Sequence, residues 1–133
     1  MAKEKVLMVL VDVENGTASK VEIEPCLDEY YRLLNCDTID MVDRRIGTPR
    51  SHRDFTIICD DNGLMYDAPK ISAIDNLGKA MLVGNLLVTK CNGEGETVGL
   101  TREEADFVME RVVHLGTRLH PEGYEMLTQC EYC

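Results

Sequence analysis

The sequence is poor in aromatic and in basic residues. Tryptophan is absent and phenylalanine occurs only at positions 55 and 107, so a stacking surface for single-stranded nucleic acid is poorly supplied. Lysine and arginine total 14 against 24 aspartates and glutamates, which gives a formal net charge of −10. Because basic side chains dominate the affinity for nucleic-acid phosphates and for anionic lipid surfaces, we expect neither direct nucleic-acid binding nor membrane binding.

Long apolar runs are also missing from the sequence. No run approaches the roughly 20 residues that span a bilayer, and the short apolar run near the N-terminus is broken at Asp12, so no signal peptide is predicted. We therefore expect a cytoplasmic protein whose six cysteines stay reduced. With 44% hydrophobic residues among 133, the chain can still bury the core of one globular domain.

The N-terminal third predicts a hairpin followed by a helix. Residues 5–13 are apolar and rich in β-branched side chains, which favours a buried strand. Asn15-Gly16 is a hairpin turn signal, because both residues tolerate positive φ. A half-exposed return strand and a helix that begins at Pro25 and ends at Asn35 are predicted next. Apolar residues spaced i, i+3, i+4 and i+7 form one face of this helix: Leu27, Tyr30, Tyr31 and Leu34.

The middle of the chain predicts further strands. Residues 38–46 alternate, residues 55–59 form a short apolar run, and residues 81–89 are the strongest apolar run of the sequence. Gly84 inside that last run predicts a bulge or a close backbone approach. Residues 64–80 mix proline, glycine and short apolar pieces, which is typical of a loop.

The last predicted element is a helix that begins at Thr101. Thr101 and Glu104 have the spacing of a capping box, and Gly116 suits the end of the helix. Residues 117–133 are predicted to be a polar C-terminal tail. The expected architecture is one α+β domain over residues 1–116, with an antiparallel sheet, a helix after the first hairpin and a C-terminal helix packed on one face.

The clearest anomaly of the sequence is a basic segment over residues 44–53. It holds four of the 14 basic residues and no acid, so the rest of the chain has 24 acids against 10 bases, a balance of −14. Arginine forks match the geometry of phosphate and carboxylate groups. This composition suits capture of a small anionic, nucleotide-like ligand, although a solvated hairpin whose arginines pair with acidic neighbours has the same composition. The candidate ligand-binding residues are Arg44, Arg45, Arg50, His52 and Arg53.

Metal and catalytic sites are not predicted. Cys130 and Cys133 form a C-x2-C pair, but the available histidines, His114 and His120, are spaced more widely than zinc sites use. The acidic turn at residues 60–63 lacks the glycine and glutamate positions of a calcium loop. No phosphate loop and no nucleophile motif occurs, so we expect a protein that is not an enzyme and uses no cofactor.

Several segments resemble a known family. They are IDMV at residues 39–42, DFTIICDDNG at 54–63, SAID at 72–75, MLVGNLL at 81–87, Gly95-Glu96 and Leu100-Thr101. Together they resemble, over residues 5–113, a family of short uncharacterised proteins described only as a domain of unknown function. The resemblance implies an accessory protein encoded by phages and mobile elements of gut Firmicutes. It brings no catalytic residues.

This context favours a binding protein, with an anti-defence role as the leading interpretation. In the first hypothesis the basic segment holds a host nucleotide, with a second protomer of a homo-oligomer covering the apolar strands. In the second, the acidic remainder imitates nucleic acid and blocks a basic host protein. A structural or regulatory module is the third.

Overall fold

The described residues of the protein form eleven regular elements. A computed structural model describes residues 5–48, 51–60, 71–74, 80–116, 118 and 121–128. The elements are β1 (Val6–Asp12), β2 (Thr17–Ile23), α1 (Leu27–Leu34), β3 (Ile39–Thr48), β4 (Ser51–Asp60), β5 (Ile71–Ile74), β6 (Ala80–Val83), β7 (Leu86–Thr89), α2 (Arg102–Glu110), β8 (Val112–Leu115) and β9 (Tyr124–Thr128).

The strands form two sheets. The first has the order β2-β1-β7-β4-β3 and the second the order β6-β5-β9-β8. All pairings are antiparallel except that between β5 and β9, which is parallel. The predicted α+β class, built mainly on antiparallel sheet, is confirmed.

The first sheet is buried on both faces in its centre. Alternate residues of β1 belong to different hydrophobic clusters, because neighbouring side chains of a strand point to opposite faces. Val9 and Val11 pack on the side of α2 and the second sheet. Met8 and Leu10 pack with Tyr30 of α1 on the other side. The predicted burial of β1 therefore reflects one helix on one side and a helix with a second sheet on the other.

Local signals place the end of α1 and the start of α2. Asn35 is the C-cap of α1 and adopts the left-handed conformation at φ 52°, as the predicted end of this helix requires. Thr101 and Glu104 form both bonds of the predicted capping box at the start of α2. However, α2 ends at Glu110, and residues up to Leu115 form β8 instead of further helical turns. The predicted helix end at Gly116 is therefore wrong.

The strongest apolar run forms two strands rather than one. β6 belongs to the second sheet and β7 to the first, and the chain passes between them at Gly84, with φ 80°, and Asn85. Asn85 is 5% exposed, and its Oδ1 accepts hydrogen bonds from Val13 N at 2.9 Å and Glu14 N at 3.4 Å. The glycine thus marks a change of sheet, not a bulge within one strand.

The segment predicted as a polar tail contains a central strand. β9 lies between β5 and β8, and Tyr124, Met126 and Leu127 are buried. β5 likewise lies in the region predicted as loop. The domain therefore extends past residue 116 to at least Thr128, because β9 supplies core side chains to the second sheet.

Candidate anion-binding site

The basic segment lies on the hairpin of β3 and β4, and its side chains divide between two faces. Arg44 is opposite Phe55, Arg45 is opposite Asp54, and Arg53 is opposite Ile46. Directly opposite residues share a face and successive residues alternate, so Arg44 and Arg53 lie on one face and Arg45 on the other. The structure does not gather these three arginines on one surface.

Two of the predicted residues cannot be placed in full. Arg50 lies outside the described residues. His52 belongs to β4, where its backbone pairs with Gly47, and its side chain is not among those described.

Arg53 contacts α2 rather than the other arginines. Its Nη2 donates to Glu103 Oε1 at 3.0 Å, and its Cζ lies 4.6 Å from the ring centroid of Phe107. Phe107 in turn packs against Phe55 with ring centroids 6.1 Å apart. Arg53 therefore joins the hairpin to α2 through an ion pair and a cation–π contact.

A cavity forms beside the end of β7. β7 ends at Thr89, opposite Thr56, whereas β4 extends back to Ser51, so β4 continues past the end of its neighbour. The cavity has a volume of about 420 Å³. We call it the notch, and its lining residues are Asp43, Arg44, Arg45, Asp54, Phe55, Thr56, Lys90 and Cys91.

Arg44 is the cation of the notch with unused hydrogen-bonding capacity. Its Nη1 donates to the backbone oxygen of Asp43 at 3.0 Å. Its Nε is buried and has no hydrogen-bond partner among the residues that the structure describes. Within the described ranges, Arg44 forms no ion pair at 4.0 Å or less. A buried guanidinium nitrogen without an acceptor is unfavourable. A ligand oxygen that accepts a hydrogen bond from it would therefore be stabilised.

Arg45 and Lys90 are the other two cationic residues of the notch, and their ion pairs with carboxylates differ in distance. Arg45 Nε lies 3.8 Å from Asp54 Oδ1, and both side chains are more than half exposed, so this pair contributes little. Lys90 Nζ lies 2.6 Å from Glu104 Oε2 and 5.6 Å from the ring centroid of Phe55. The ion pair of Lys90 is therefore the closer of the two.

A hydrogen bond from Thr56 positions Asp43 in the lining of the notch. The Oγ1 of Thr56, a residue that is 8% exposed, donates to Asp43 Oδ1 at 3.0 Å. The opposite residue, Thr89, is fully buried, and its Oγ1 has no hydrogen-bond partner. Asp43 is thus positioned on the rim by a buried hydroxyl.

Glu104, which pairs with the notch residue Lys90, has a shifted pKa. Burial acts to raise its pKa, but the hydrogen bonds from Lys90 and Thr101 and the positive charge of Lys90 outweigh burial, so the pKa lies below its usual value. Glu104 therefore stays ionised next to Lys90.

Sequence reasoning found Arg44 and Arg45 but missed Lys90 and Glu104. Lys90 follows an apolar strand and Glu104 belongs to a capping box, so neither is unusual in the linear sequence. Only the pairing of β4 with β7 and the packing of α2 bring these side chains beside the basic hairpin.

The described residues contain no cluster of three or more potential metal ligands. His114 lies in β8, where its Nδ1 is 3.4 Å from Glu125 Oε1 and its Nε2 is 3.2 Å from the backbone oxygen of Glu122. Cys130, Cys133 and His120 lie outside the described residues.

The segments that form the first sheet, α1, α2 and the notch all fall within the residues that one family model matches. The chain belongs to the family described as domain of unknown function DUF3846, which matches residues 5–113. No curated protein and no solved structure matches the chain. In the part of the chain that the structure describes, neither helix has the length and apolar character needed to cross a membrane.

Proposed function

We propose that this protein is a non-catalytic binding protein that holds a small anionic, nucleotide-like ligand in the notch. We further propose that it serves a phage or mobile element as an accessory, anti-defence protein in the bacterial cytoplasm. The first part rests on the notch and the second on the family resemblance.

One observation carries the binding proposal: three cationic residues from two separate chain segments line one cavity, and one of them, Arg44, has no anionic partner among the described residues. Arg44 and Arg45 come from β3, whereas Lys90 follows β7. An anion in the notch would give the Arg44 guanidinium the acceptors that it lacks. Charge-assisted bonds between guanidinium and phosphate are about twice as strong as neutral hydrogen bonds.

The size and lining of the notch favour a small molecule over a polymer. A volume of about 420 Å³ lies within the range of small-molecule sites. The negative charge of the remaining chain opposes a long nucleic acid, which would have to approach that surface, but a mononucleotide needs to reach only the notch. Thr56 and Asp43 add hydroxyl and carboxylate groups that can contact a sugar or a base.

Calorimetric titration with a panel of linear and cyclic nucleotides tests the binding proposal. We expect saturable binding by the parent protein and its loss in the double variant Arg44→Ala/Arg45→Ala. Arg32→Ala is the matched control, because Arg32 is an exposed arginine of α1 that pairs with Glu29 away from the notch. A parent protein that binds no nucleotide, or a double variant that binds as well as the parent, contradicts the proposal.

Native mass spectrometry of protein purified from a bacterial host tests whether the protein retains such a ligand in a cell. We expect a retained small phosphorylated molecule and, if the notch lies at an interface, a homo-oligomer. Chromatography of the released ligand then separates binding from catalysis: an unchanged ligand supports a binding protein, and a converted one contradicts it.

A further inference from the structure

We propose that the notch selects a phosphate group with one negative charge, as in a phosphodiester, over a phosphate monoester, which carries nearly two. This inference rests on the proposed function, since it concerns which nucleotide the notch accepts. The observation that carries it is the balance between the cationic and the acidic residues around the cavity, which leaves a partner for one negative charge.

Two of the three cationic residues of the notch already have carboxylate partners. Lys90 Nζ lies 2.6 Å from Glu104 Oε2. Arg45 Nε lies 3.8 Å from Asp54 Oδ1, and Asp54 itself lines the cavity. A ligand anion that approaches Lys90 or Arg45 therefore also approaches the carboxylate that each of them pairs with.

Arg44 is the cationic residue that can neutralise a ligand charge. Among the residues that the structure describes, it forms no ion pair at 4.0 Å or less, and its Nε is buried without an acceptor. One negative charge on a ligand oxygen beside Arg44 would neutralise this guanidinium and supply a charge-assisted hydrogen bond.

A second negative charge on the ligand finds no further unpaired cation among the described residues of the notch and faces carboxylates instead. Asp43 lines the notch, and its Oδ1 accepts a hydrogen bond from the Thr56 hydroxyl at 3.0 Å, which does not neutralise its charge. With Asp54 and Glu104, Asp43 gives the site as many carboxylates as cationic residues. The attraction of a balanced site does not grow with a second ligand charge, whereas the cost of taking that charge out of water does.

Calorimetric titrations with adenosine 5′-sulfate and adenosine 5′-monophosphate test the effect of charge alone. The two ligands share the base, the sugar and a tetrahedral anionic group, but the sulfate ester has one negative charge and the phosphate monoester nearly two at neutral pH. We expect the parent protein to bind the sulfate at least about fivefold more tightly, a ratio that corresponds to about 1 kcal/mol. A site with an excess of cations would give the opposite order, because its attraction increases with the ligand charge.

The cyclic diester 3′,5′-cyclic adenosine monophosphate tests the assignment to a phosphodiester. It carries one negative charge, so it should also bind more tightly than the 5′-monophosphate. A protein that prefers the sulfate but does not bind the cyclic diester contradicts this assignment.

Removing a carboxylate should weaken the selectivity. Glu104→Gln removes the charge beside Lys90, and Asp54→Asn removes the charge beside Arg45. Each variant should increase the affinity for the doubly charged ligand more than that for the singly charged one, so the ratio should fall towards one. Glutamine keeps the acceptor of the capping box, and the Asp54 side chain is 85% exposed, so we expect both variants to fold.

Asp106→Asn is the matched control. Asp106 belongs to α2, as Glu104 does, and its carboxylate also pairs with a lysine, Lys20 of β2. β2 lies at the opposite edge of the first sheet from β3, away from the notch. This variant loses the same charge and should leave the ratio unchanged. An equal fall of the ratio in this variant would assign the effect to the overall charge of the chain and overturn the role of the carboxylates at the notch.

The pH dependence gives an independent measurement. The second pKa of a phosphate monoester is about 6, so lowering the pH from about 7.5 to about 5 removes its second charge. The affinity for the 5′-monophosphate should then rise towards that for the sulfate. The sulfate keeps one charge at both pH values, so its own affinity reports any change that titration of the protein causes.

The outcomes distinguish this inference from the proposed function. Equal affinity of the parent for the two 5′ ligands, tighter binding of the monophosphate, or a ratio that stays the same in both Glu104→Gln and Asp54→Asn overturns the charge selectivity while the notch remains a binding site. Binding of none of the three ligands by the parent overturns both.

Discussion

Arg44 lies directly opposite Phe55 in the ladder of β3 and β4, and the two residues meet at the wall of the notch. Phe55 is buried at 2% exposure, whereas Arg44 keeps its buried Nε without a hydrogen-bond partner. A chain selected for stability alone would favour an apolar side chain at this position. We interpret Arg44 as a residue that lowers the stability of the fold and serves binding, a trade-off that is common at functional sites.

Replacing Arg44 by methionine should therefore stabilise the protein. Methionine retains much of the aliphatic stem and removes the unsatisfied nitrogen, so we expect the free energy of unfolding to rise by about 1 kcal/mol. Urea denaturation measures this change. The control is Arg32→Met, which removes an exposed pair with Glu29 and should change stability by less than about 0.5 kcal/mol. A clear loss of stability in Arg44→Met contradicts the account.

Asn85 should be essential to the passage between the two sheets. Asn85→Ala removes a buried acceptor of Val13 N, so we expect a loss of about 1–3 kcal/mol. Asn92 is the matched control, because its Oδ1 also accepts two backbone hydrogen bonds, from Glu94 N and Glu96 N, but at an exposed turn. Asn92→Ala should cost less in the same denaturation experiment. Equal costs would show that burial of Asn85 does not matter.

The strand formed by Tyr124–Thr128 should be part of the folded core. Leu127 is fully buried between β5 and β8, so Leu127→Ala should lower the free energy of unfolding by about 2–5 kcal/mol. Leu115→Ala, at a leucine that is 38% exposed in β8, is the control and should cost much less. A small effect at Leu127 would restore the prediction of a polar tail.

Glu104 should make stability depend on pH in a defined direction. Its pKa is lowered from the usual value of 4.5, so the ionised form is favoured in the folded state. The stabilisation is present above the unfolded pKa and is lost as the pH falls through the lower folded pKa. We therefore expect the stability difference between the parent and Glu104→Gln to shrink below about pH 4.5 in urea denaturation. A difference that does not change between neutral and acidic pH contradicts the ion pair with Lys90.

Local sequence signals predicted the parts of the fold that depend on near neighbours. The turn at Asn15-Gly16 joins β1 to β2, Asn35 ends α1, and Thr101 with Glu104 begins α2. Each of these features depends on side chains or backbone conformations within a few residues, which a sequence displays directly.

The parts that were missed depend on distant pairings. β9 has only five residues, and its apolar pair Met126-Leu127 is typical of many loops until β5 and β8 pair with it. Residues 81–89 have the composition of one strand, and only the separate partners of β6 and β7 divide them between two sheets.

The candidate site was found in part for the same reason. The sequence displays Arg44 and Arg45 as neighbours, but strand alternation sends them to opposite faces. Lys90 and Glu104 reach the notch through a strand pairing and a helix packing that span the chain. Charge clustering therefore predicted two residues of the candidate site, Arg44 and Arg45, and the tertiary structure adds the others.

Nuclear magnetic resonance of the arginine Nε–H groups during a titration with adenosine 5′-monophosphate tests the central claim most directly. Arg44 Nε is buried without a partner, so binding in the notch should shift its signal progressively to saturation. The Nε signal of Arg32, which already donates to Glu29 at 3.0 Å, should stay in place. An Arg44 signal that does not move at saturating nucleotide, or one that moves no more than that of Arg32, would contradict a ligand site in the notch.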